Sequence, residues 1–265
     1  MINNKTASAD GEESVLRVDR AILQSIADAD GPGGQGTLSL LLRRHGMAVS
    51  APTIGRRLRE LEFTGALRKV GVEGRVITER GRRLLKHWQA EAYFRTTGQA
   101  LLDTLKRSDK KHLLDLLAAR RVVETEAAAL AAEHATPAAI ARLEHIFRNQ
   151  VESVKRGTLG VAEDQAFHQE IGRASGNTVL ASLVSLLRHH RRYNVIVTSM
   201  RAVVGGRLTV DHAAILGGIR RKNPRVARQA MERHLLNLAH DLDRYWAQYT
   251  STKTTVARRG RAARE

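Results

Sequence analysis

The feature that most constrains the fold is a change in the character of the sequence near Trp88. Before it, short apolar pieces are broken by glycine clusters. After it, the chain is almost continuously rich in Ala, Leu, Arg and Glu, and only Pro137 and Pro224 interrupt the helical pattern. The 265 residues are therefore expected to form two domains, a small mixed one and a larger all-helical one. The predicted fold class is mainly α.

This division predicts five segments, of which the middle three are folded. They are a polar leader at 1–15, a small domain at 16–86, a linker helix at 87–109, a helical domain at 110–247 and a basic tail at 248–265. The leader and the tail lack apolar periodicity, so both are predicted to be disordered. An alternative for the tail is a basic arm that contacts phosphate groups nonspecifically.

Charge and cysteine content narrow the classes of partner and chemistry. The 44 Lys and Arg residues exceed the 27 Asp and Glu residues, which gives a formal net charge of +17. Such a surplus favours nucleic acid as a partner, ahead of an anionic membrane surface or an acidic small molecule. With no cysteine in the chain, a metal site would need His, Asp or Glu. No secretory signal or long apolar span is recognisable, so a cytoplasmic location is expected.

The small domain is predicted to contain three short helices followed by a two-stranded ribbon. Apolar residues at helical spacing mark the three helices, and Gly31, Gly46 and Gly65 end them. Ser50 is a suitable N-cap for the third helix. Two strand-like pieces then flank a hairpin turn at Glu73-Gly74. This order of elements predicts a winged helix-turn-helix.

The third helix and the wing carry the residues that we predict to contact DNA. The helix has a polar and basic face opposite its apolar stripe, and arginine forks pair with phosphate oxygens or with guanine in the major groove. The predicted contacts are Ser50, Thr53, Arg56, Arg57, Arg59, Arg68, Lys69 and Arg75. Two alternatives stay open, RNA binding and a protein-binding winged helix whose basic face is merely solvated.

Three of the eleven histidines lie in line with the apolar residues of their helices. Asp164 and His168 are four residues apart and share one helical face, while His212 and His234 continue the apolar stripes of two later helices. Such polar groups are costly to bury unless something compensates them. Either separate hydrogen-bond partners compensate each histidine, or one oxygen and three imidazole nitrogens bind Zn²⁺ or a similar divalent cation.

Several motifs follow one another in a fixed order along the helical half. They are Arg120-Arg121-Val122-Val123-Glu124 with the alanine-rich run 127–132, Asp164-x-x-Phe167-His168, Ala174-Ser175-Gly176-Asn177, His212-x-x-Ile215, and Ala227 with Met231-Glu232-Arg233-His234-Leu235. This ordered set resembles the C-terminal ligand-binding domain of the FadR subfamily of GntR transcription regulators. The resemblance covers about residues 110–245, more than half of the chain.

The resemblance implies an antiparallel bundle of six or seven helices, commonly dimeric, with a divalent metal at its centre. The residues that match the family's metal ligands are Asp164, His168, His212 and His234. Zinc is the expected metal. Arg120 matches the arginine that receives the carboxylate of a small organic acid. Asn177 matches a recurrent asparagine, although helix capping would also explain it, and Arg188, Arg191 and Arg192 are further candidates for the cavity.

The recognition helix departs from the family pattern. The Val49-Ser50 start and the leucine spacing are kept, but Ala51 and Gly55 stand where the family has its two operator-reading arginines. Arg56 and Arg57 are therefore predicted to replace them. The wing also looks more like winged helices outside that family.

The predicted function is that of a homodimeric, metal-dependent transcription regulator. It would bind a double-stranded DNA operator, sense a small organic acid, and not act as an enzyme. A metal-dependent hydrolase with the same four ligands is an alternative, but the sequence contains no His-Glu-x-x-His motif and suggests no general base beside the metal. An RNA-binding winged-helix adaptor is the other alternative.

Overall fold

The structure is a computed structural model that describes residues 4–29, 31–44, 46–72, 74–189, 200 and 208–262. The chain divides into two compact units, Met1–Leu101 and Leu102–Glu265, called here the winged-helix unit and the helical unit. Helices dominate both units, and the sheet in the described part has two antiparallel strands. The predicted fold class is confirmed. No helix among the described residues is long and apolar enough to span a membrane.

The winged-helix unit has the predicted order of elements. In chain order they are α1 (Asn4–Asp28), α2 (Gln35–Arg44), α3 (Ala51–Phe63), β1 (Leu67–Val70), β2 (Gly74–Ile77) and α4 (Glu79–Leu105), whose last residues lie beyond the division. β1 and β2 pair from Leu67 with Ile77 to Val70 with Gly74. The strands are thus a short hairpin directly after α3.

Local chemistry and packing explain why α3 forms where it does. Ser50 Oγ accepts a hydrogen bond from Thr53 N at 3.3 Å, and Pro52 occupies the first turn, as expected for a helix start. Ile54, Leu58 and Leu61 form its buried stripe. They belong to a core with Ile22, Leu23, Ile26, Leu38, Leu42, Ala66, Leu67 and Leu85. The polar face of α3 is therefore turned away from this core.

Gly74 is required where the hairpin meets the loop before α2. Gly33 N donates to Arg75 O at 2.7 Å, and Arg75 N donates back to Gly33 O at 3.2 Å. A Cβ at Gly74, whose φ is +135°, would lie 2.6 Å from Gly33 O. Only glycine combines this backbone conformation with so close an approach.

The helical unit consists of helices packed around one apolar core. They are α5 (Lys110–His134), α6 (Pro137–Lys155), α7 (Val161–Ala174), α8 (Thr178–Arg188), α9 (Leu208–Arg220) and α10 (Pro224–Ala262). Side chains of Asp109, Thr136 and Asn177 cap α5, α6 and α8. The helix α10 packs along α5, and buried alanines of α5, such as Ala127 and Ala131, belong to the core of this unit.

The two ends of the chain differ from the sequence-based expectation. The helix α1 begins at Asn4, inside the leader predicted for 1–15, and α10 continues to Ala262 through the tail predicted for 248–265. Extending an existing helix needs no new nucleus, so it requires no apolar stripe of its own. The helix α4 begins at Glu79, upstream of the linker helix predicted at 87–109, and the residues at its start include buried Gly81 and Leu85.

Candidate functional site

Four side chains from three helices meet inside the helical unit. Asp164 and His168 come from α7, His212 from α9 and His234 from α10, and we call them the Asp/His cluster. One ligand atom of each residue lies within 4.8 Å of those of the other three. The Nε2 atoms of His168 and His212 are 3.2 Å apart, and Asp164 Oδ1 is 3.4 Å from His212 Nε2. The three imidazoles are buried.

Packing within the core fixes the orientation of the rings. The four-residue spacing of Asp164 and His168 on α7 sets both side chains on one face. Phe167, between them in sequence, is fully buried and stacks on the ring of His212, with centroids 4.6 Å apart and an interplanar angle of 18°. An aromatic contact of this kind restricts how the imidazole can turn.

Each imidazole also faces an oxygen acceptor with its Nδ1 atom. The distances are 2.6 Å from His168 to Glu124 Oε2, 2.7 Å from His212 to Gln150 Oε1 and 3.4 Å from His234 to Asp211 Oδ2. Histidines that bind metals are usually oriented in this way by a carboxylate or carbonyl oxygen on the other nitrogen. Sequence reasoning did not assign this role to the three residues that supply the oxygen acceptors. Glu124 and Asp211 lie close to predicted site residues in sequence, whereas Gln150 has no sequence signal.

The oxygen acceptors favour a proton on Nδ1 of each imidazole, and this arrangement makes the centre of the cluster suitable for a cation. If each Nδ1 carries the proton, each Nε2 presents a lone pair. The lone pairs of His168 and His212 would then face each other across 3.2 Å and also face the carboxylate of Asp164. A divalent cation relieves this repulsion. One oxygen and three imidazole nitrogens fit zinc or a similar metal.

Two buried arginines lie beside the cluster and share one carboxylate. Arg120 Nε donates to Glu124 Oε1 at 2.6 Å, and an Arg188 terminal nitrogen lies 3.2 Å from Glu124 Oε2. Arg188 also donates to Asp164. Burial acts to raise the pKa of Glu124, but the charge of Arg120 and the hydrogen bonds from Arg120 and His168 outweigh burial and hold the pKa below its ordinary value. Both arginines are thus held next to the predicted metal ligands.

The remaining predicted effector residues are placed differently. Asn177 is exposed and caps α8, because its side-chain oxygen accepts hydrogen bonds from Val179 N at 3.0 Å and Leu180 N at 3.1 Å. This geometry favours the capping role that the sequence left open. Arg191 and Arg192 lie outside the described residues.

Most of the predicted DNA contacts lie on the outer surface of the winged-helix unit. The Arg56 side chain is 64% exposed, and Arg59, Arg68 and Lys69 are also exposed. Ser50 and Thr53, whose hydroxyl groups are 2.8 Å apart, lie at the start of α3. These six residues provide hydroxyl groups and positive charge on α3 and its wing.

Arg57 and Arg75 differ from the prediction because they are tied to acids within the unit. Arg57 is only 15% exposed, its Nε donates to Asp19 Oδ1 at 2.6 Å, and it also donates to Glu60. The hydrogen bond to buried Asp19 raises the pKa of Arg57. Arg75 pairs with Glu62 at 2.8 Å. Sequence reasoning missed Asp19, which lies 38 residues before its partner.

Comparison with known families divides the chain in a similar way. Residues 115–237 match the model of the FCD domain, and this span contains all four residues of the Asp/His cluster. Residues 20–85 match the model of the ribonuclease R winged-helix domain. The second match agrees with the atypical recognition helix and wing.

Similar proteins of known role are transcription regulators. The HTH-type transcriptional regulator LutR of Bacillus subtilis is 29% identical over 167 residues, which cover 61% of this chain and 74% of LutR. The Uxu operon regulator of Haemophilus influenzae is 31% identical over 133 residues, which cover 47% of this chain and about half (48%) of that protein. The solved structure of Streptococcus agalactiae GntR is 22% identical, with a TM-score of 0.43, and covers 85% of this chain and 99% of its own.

Proposed function

The chain belongs to the FadR-type GntR transcription regulators, and from that premise we propose a metal-dependent regulator whose DNA affinity changes with a small carboxylate effector. The observation that carries this proposal is the Asp/His cluster, in which three buried imidazoles are oriented by oxygen acceptors and converge with one carboxylate.

Asp164, His168, His212 and His234 would hold the metal. When bound, a zinc-type cation supplies positive charge and open coordination positions for an anionic group. The chain's own residues orient the imidazoles through Glu124, Gln150 and Asp211 and keep the ring nitrogens away from water.

Buried charge supports a carboxylate as the effector. The two guanidinium groups of Arg120 and Arg188 are offset by the carboxylates of Glu124 and Asp164. Asp211, which faces His234, adds a further negative charge. A divalent cation would therefore leave a net charge of about +1 in this buried region, which favours an anionic ligand. We propose Arg120 and Arg188 as effector contacts, since both lie beside predicted metal ligands. Asn177 is left out because its side chain caps α8.

DNA contacts are proposed for the exposed basic residues of α3 and the wing. Arg56 and Arg59 would reach the major groove or its phosphates, with Arg68 and Lys69 on the wing and Ser50 and Thr53 at the helix start. A homodimer would present two such surfaces to an operator with two half-sites. Effector binding would favour one placement of the two surfaces, and coupling of this kind is typically about 1–3 kcal/mol.

The experiment that tests the metal and effector is a metal analysis combined with a thermal-shift screen of organic acids on the purified protein. His234→Ala should lose bound metal and the acid-induced shift, whereas His240→Ala, an exposed histidine on the same helix, should keep both. Equal metal content in the two variants would overturn the proposal.

A second candidate function is RNA binding by the winged-helix unit. The match of residues 20–85 to the ribonuclease R winged-helix domain is the observation that favours it. Titrating the protein with duplex DNA and with single-stranded RNA at the same salt concentration separates the two functions, because nonspecific electrostatic binding depends strongly on salt. Tighter binding to RNA than to every duplex tested would favour this second candidate.

A further inference from the structure

The middle and end of α4 present an uncharged face to solvent. Ala90, Phe94, Thr97, Leu101 and Thr104 follow one another in alternating steps of four and three residues. Phe94 is 73% exposed and Leu101 is 44% exposed, and the neighbouring Tyr93 is 67% exposed. Exposed aromatic and leucine side chains in one row are unusual unless a partner covers them. We call the row from Ala90 to Thr104 the α4 stripe.

The opposite side of α4 packs within its own unit. Trp88, Ala92 and Thr96 line a cavity of about 130 Å³ together with Leu16 and Arg20 of α1. These α4 residues lie roughly half a turn away from Phe94 and Leu101. The helix therefore has one side that faces α1 and another that is available to a different partner.

The spacing of the α4 stripe matches the heptad repeat of a coiled coil. Steps of four and three residues average 3.5 residues, so the same side of the helix meets a partner helix at each step. Phe94 and Leu101 then occupy a positions, and Ala90, Thr97 and Thr104 occupy d positions. Since an identical helix carries the same repeat, the stripe is complementary to itself.

Charges beside the stripe agree with a parallel pair. With this assignment Lys86 lies at a g position and Glu91 at the following e position, and these two positions face each other between parallel helices. A symmetric pair would thus form a Lys86–Glu91 contact on each side. Upstream, Arg83 falls at a d position, where two copies would place like charges together. The paired region should therefore begin near Ala90.

From these observations we infer that the α4 stripe pairs in parallel with the α4 stripe of a second copy of this chain. The inference rests on the homodimer of the proposed function and names a surface for it. The stripe is about 22 Å long. Because the paired length is close to the limit at which isolated helices are stable, this contact would orient the two winged-helix units rather than hold the dimer alone.

Introduced cysteines test the pairing in the full chain, which has no cysteine of its own. Ala90→Cys and Thr97→Cys place a thiol at d positions seven residues apart, and Gln99→Cys places one elsewhere on the same exposed stretch of helix. Under mild oxidation we expect both d-position variants to form covalent dimers on a non-reducing gel, since a disulfide needs Cα atoms about 4.4–6.8 Å apart. Gln99→Cys should remain monomeric on that gel.

The outcomes separate the pairing from the proposed function. A covalent dimer at only one of the two d positions would indicate an antiparallel pair and overturn the inference, as would equal cross-linking of Gln99→Cys. If neither d-position variant cross-links while the protein still binds metal and operator, the pairing is wrong and the proposed function stands.

A second measurement does not depend on cysteine chemistry. Replacing Phe94 and Leu101 by serine should raise the dissociation constant of the dimer at least about tenfold in sedimentation experiments, because apolar area is lost from both copies. The metal content should stay unchanged. An unchanged dissociation constant would show that the stripe is not the surface between the two copies.

Discussion

The Asp/His cluster gathers His168, His212 and His234 from three helices, whereas Arg56 and Arg57, neighbours on α3, face different surroundings. In the first case residues far apart in sequence are found together, as the apolar stripes of their helices indicated. In the second case two adjacent arginines were expected to act together, and one of them pairs with buried Asp19 instead. A polar residue in an apolar stripe must be compensated inside the protein, which limits its possible positions. An arginine outside the apolar stripe can remain in solvent or pair with an acid, so its position and partner are not restricted in this way.

The largest expected effect comes from removing the carboxylate that both buried arginines share. Glu124→Gln would leave Arg120 and Arg188 without their common counterion, and breaking a buried pair typically costs about 3–5 kcal/mol. Denaturant unfolding of the metal-free protein measures this loss. Glu126→Gln, on the same helix and paired with Arg228 at the surface, is the control and should cost less than about 1 kcal/mol. Equal losses would show that burial does not distinguish the two acids.

The next effect separates the two neighbouring arginines. Arg57→Ala would leave the buried carboxylate of Asp19 without its bidentate partner and should destabilise the winged-helix unit by about 1–3 kcal/mol. Arg56→Ala removes an exposed charge, so it should leave the free energy of unfolding nearly unchanged while weakening operator binding.

Thermal unfolding and a DNA-binding titration of both variants measure the two effects. If Arg57→Ala keeps its stability and loses operator affinity, then the original prediction for Arg57 was right and its pairing with Asp19 is not important.

The sequence was sufficient for the fold class, for the resemblance to FadR-type GntR regulators and for the meeting of the four cluster residues. Periodic apolar residues and a serine cap located α3 correctly, because both signals are local. The oxygen acceptors behind the imidazoles were not identified, since Gln150 meets His212 across 62 residues of chain. The pairing of Arg57 with Asp19 was missed for the same reason, because the two residues are 38 positions apart in sequence. Contacts between distant segments depend on helix packing, which periodicity alone does not specify.

The sequence left the role of Asn177 open between effector binding and helix capping, and variants of this residue separate the two roles. Asn177→Ala should cost about 1 kcal/mol of stability through loss of the α8 cap, with the acid-induced thermal shift unchanged in size. Asn177→Asp should retain the cap, because a carboxylate can accept the same two backbone hydrogen bonds. If Asn177→Ala lost the acid-induced thermal shift at unchanged stability, Asn177 would be an effector-binding residue and not only a helix cap.

The smallest effect concerns Asp109, whose partner is the backbone of its own helix. The Asp109 side chain accepts a hydrogen bond from His112 N at 3.1 Å, and this bond is the main cause of the lowered pKa of its carboxyl group. A depressed folded-state pKa contributes stability that is present above the unfolded pKa of about 3.9 and is lost as pH falls through the folded value.

The stability difference between the wild-type protein and Asp109→Asn should therefore be constant near neutral pH and shrink below about pH 4. Denaturant unfolding of both proteins as a function of pH measures it. The effect is small because the side chain is exposed. A difference that grows in acid would contradict the assignment of this carboxylate to the cap. Asp109 caps its helix as Ser50, the cap predicted from sequence, caps α3. The partner of an exposed polar residue can thus be predicted from sequence when it lies three residues away, and not when it lies on another helix, as for Arg57.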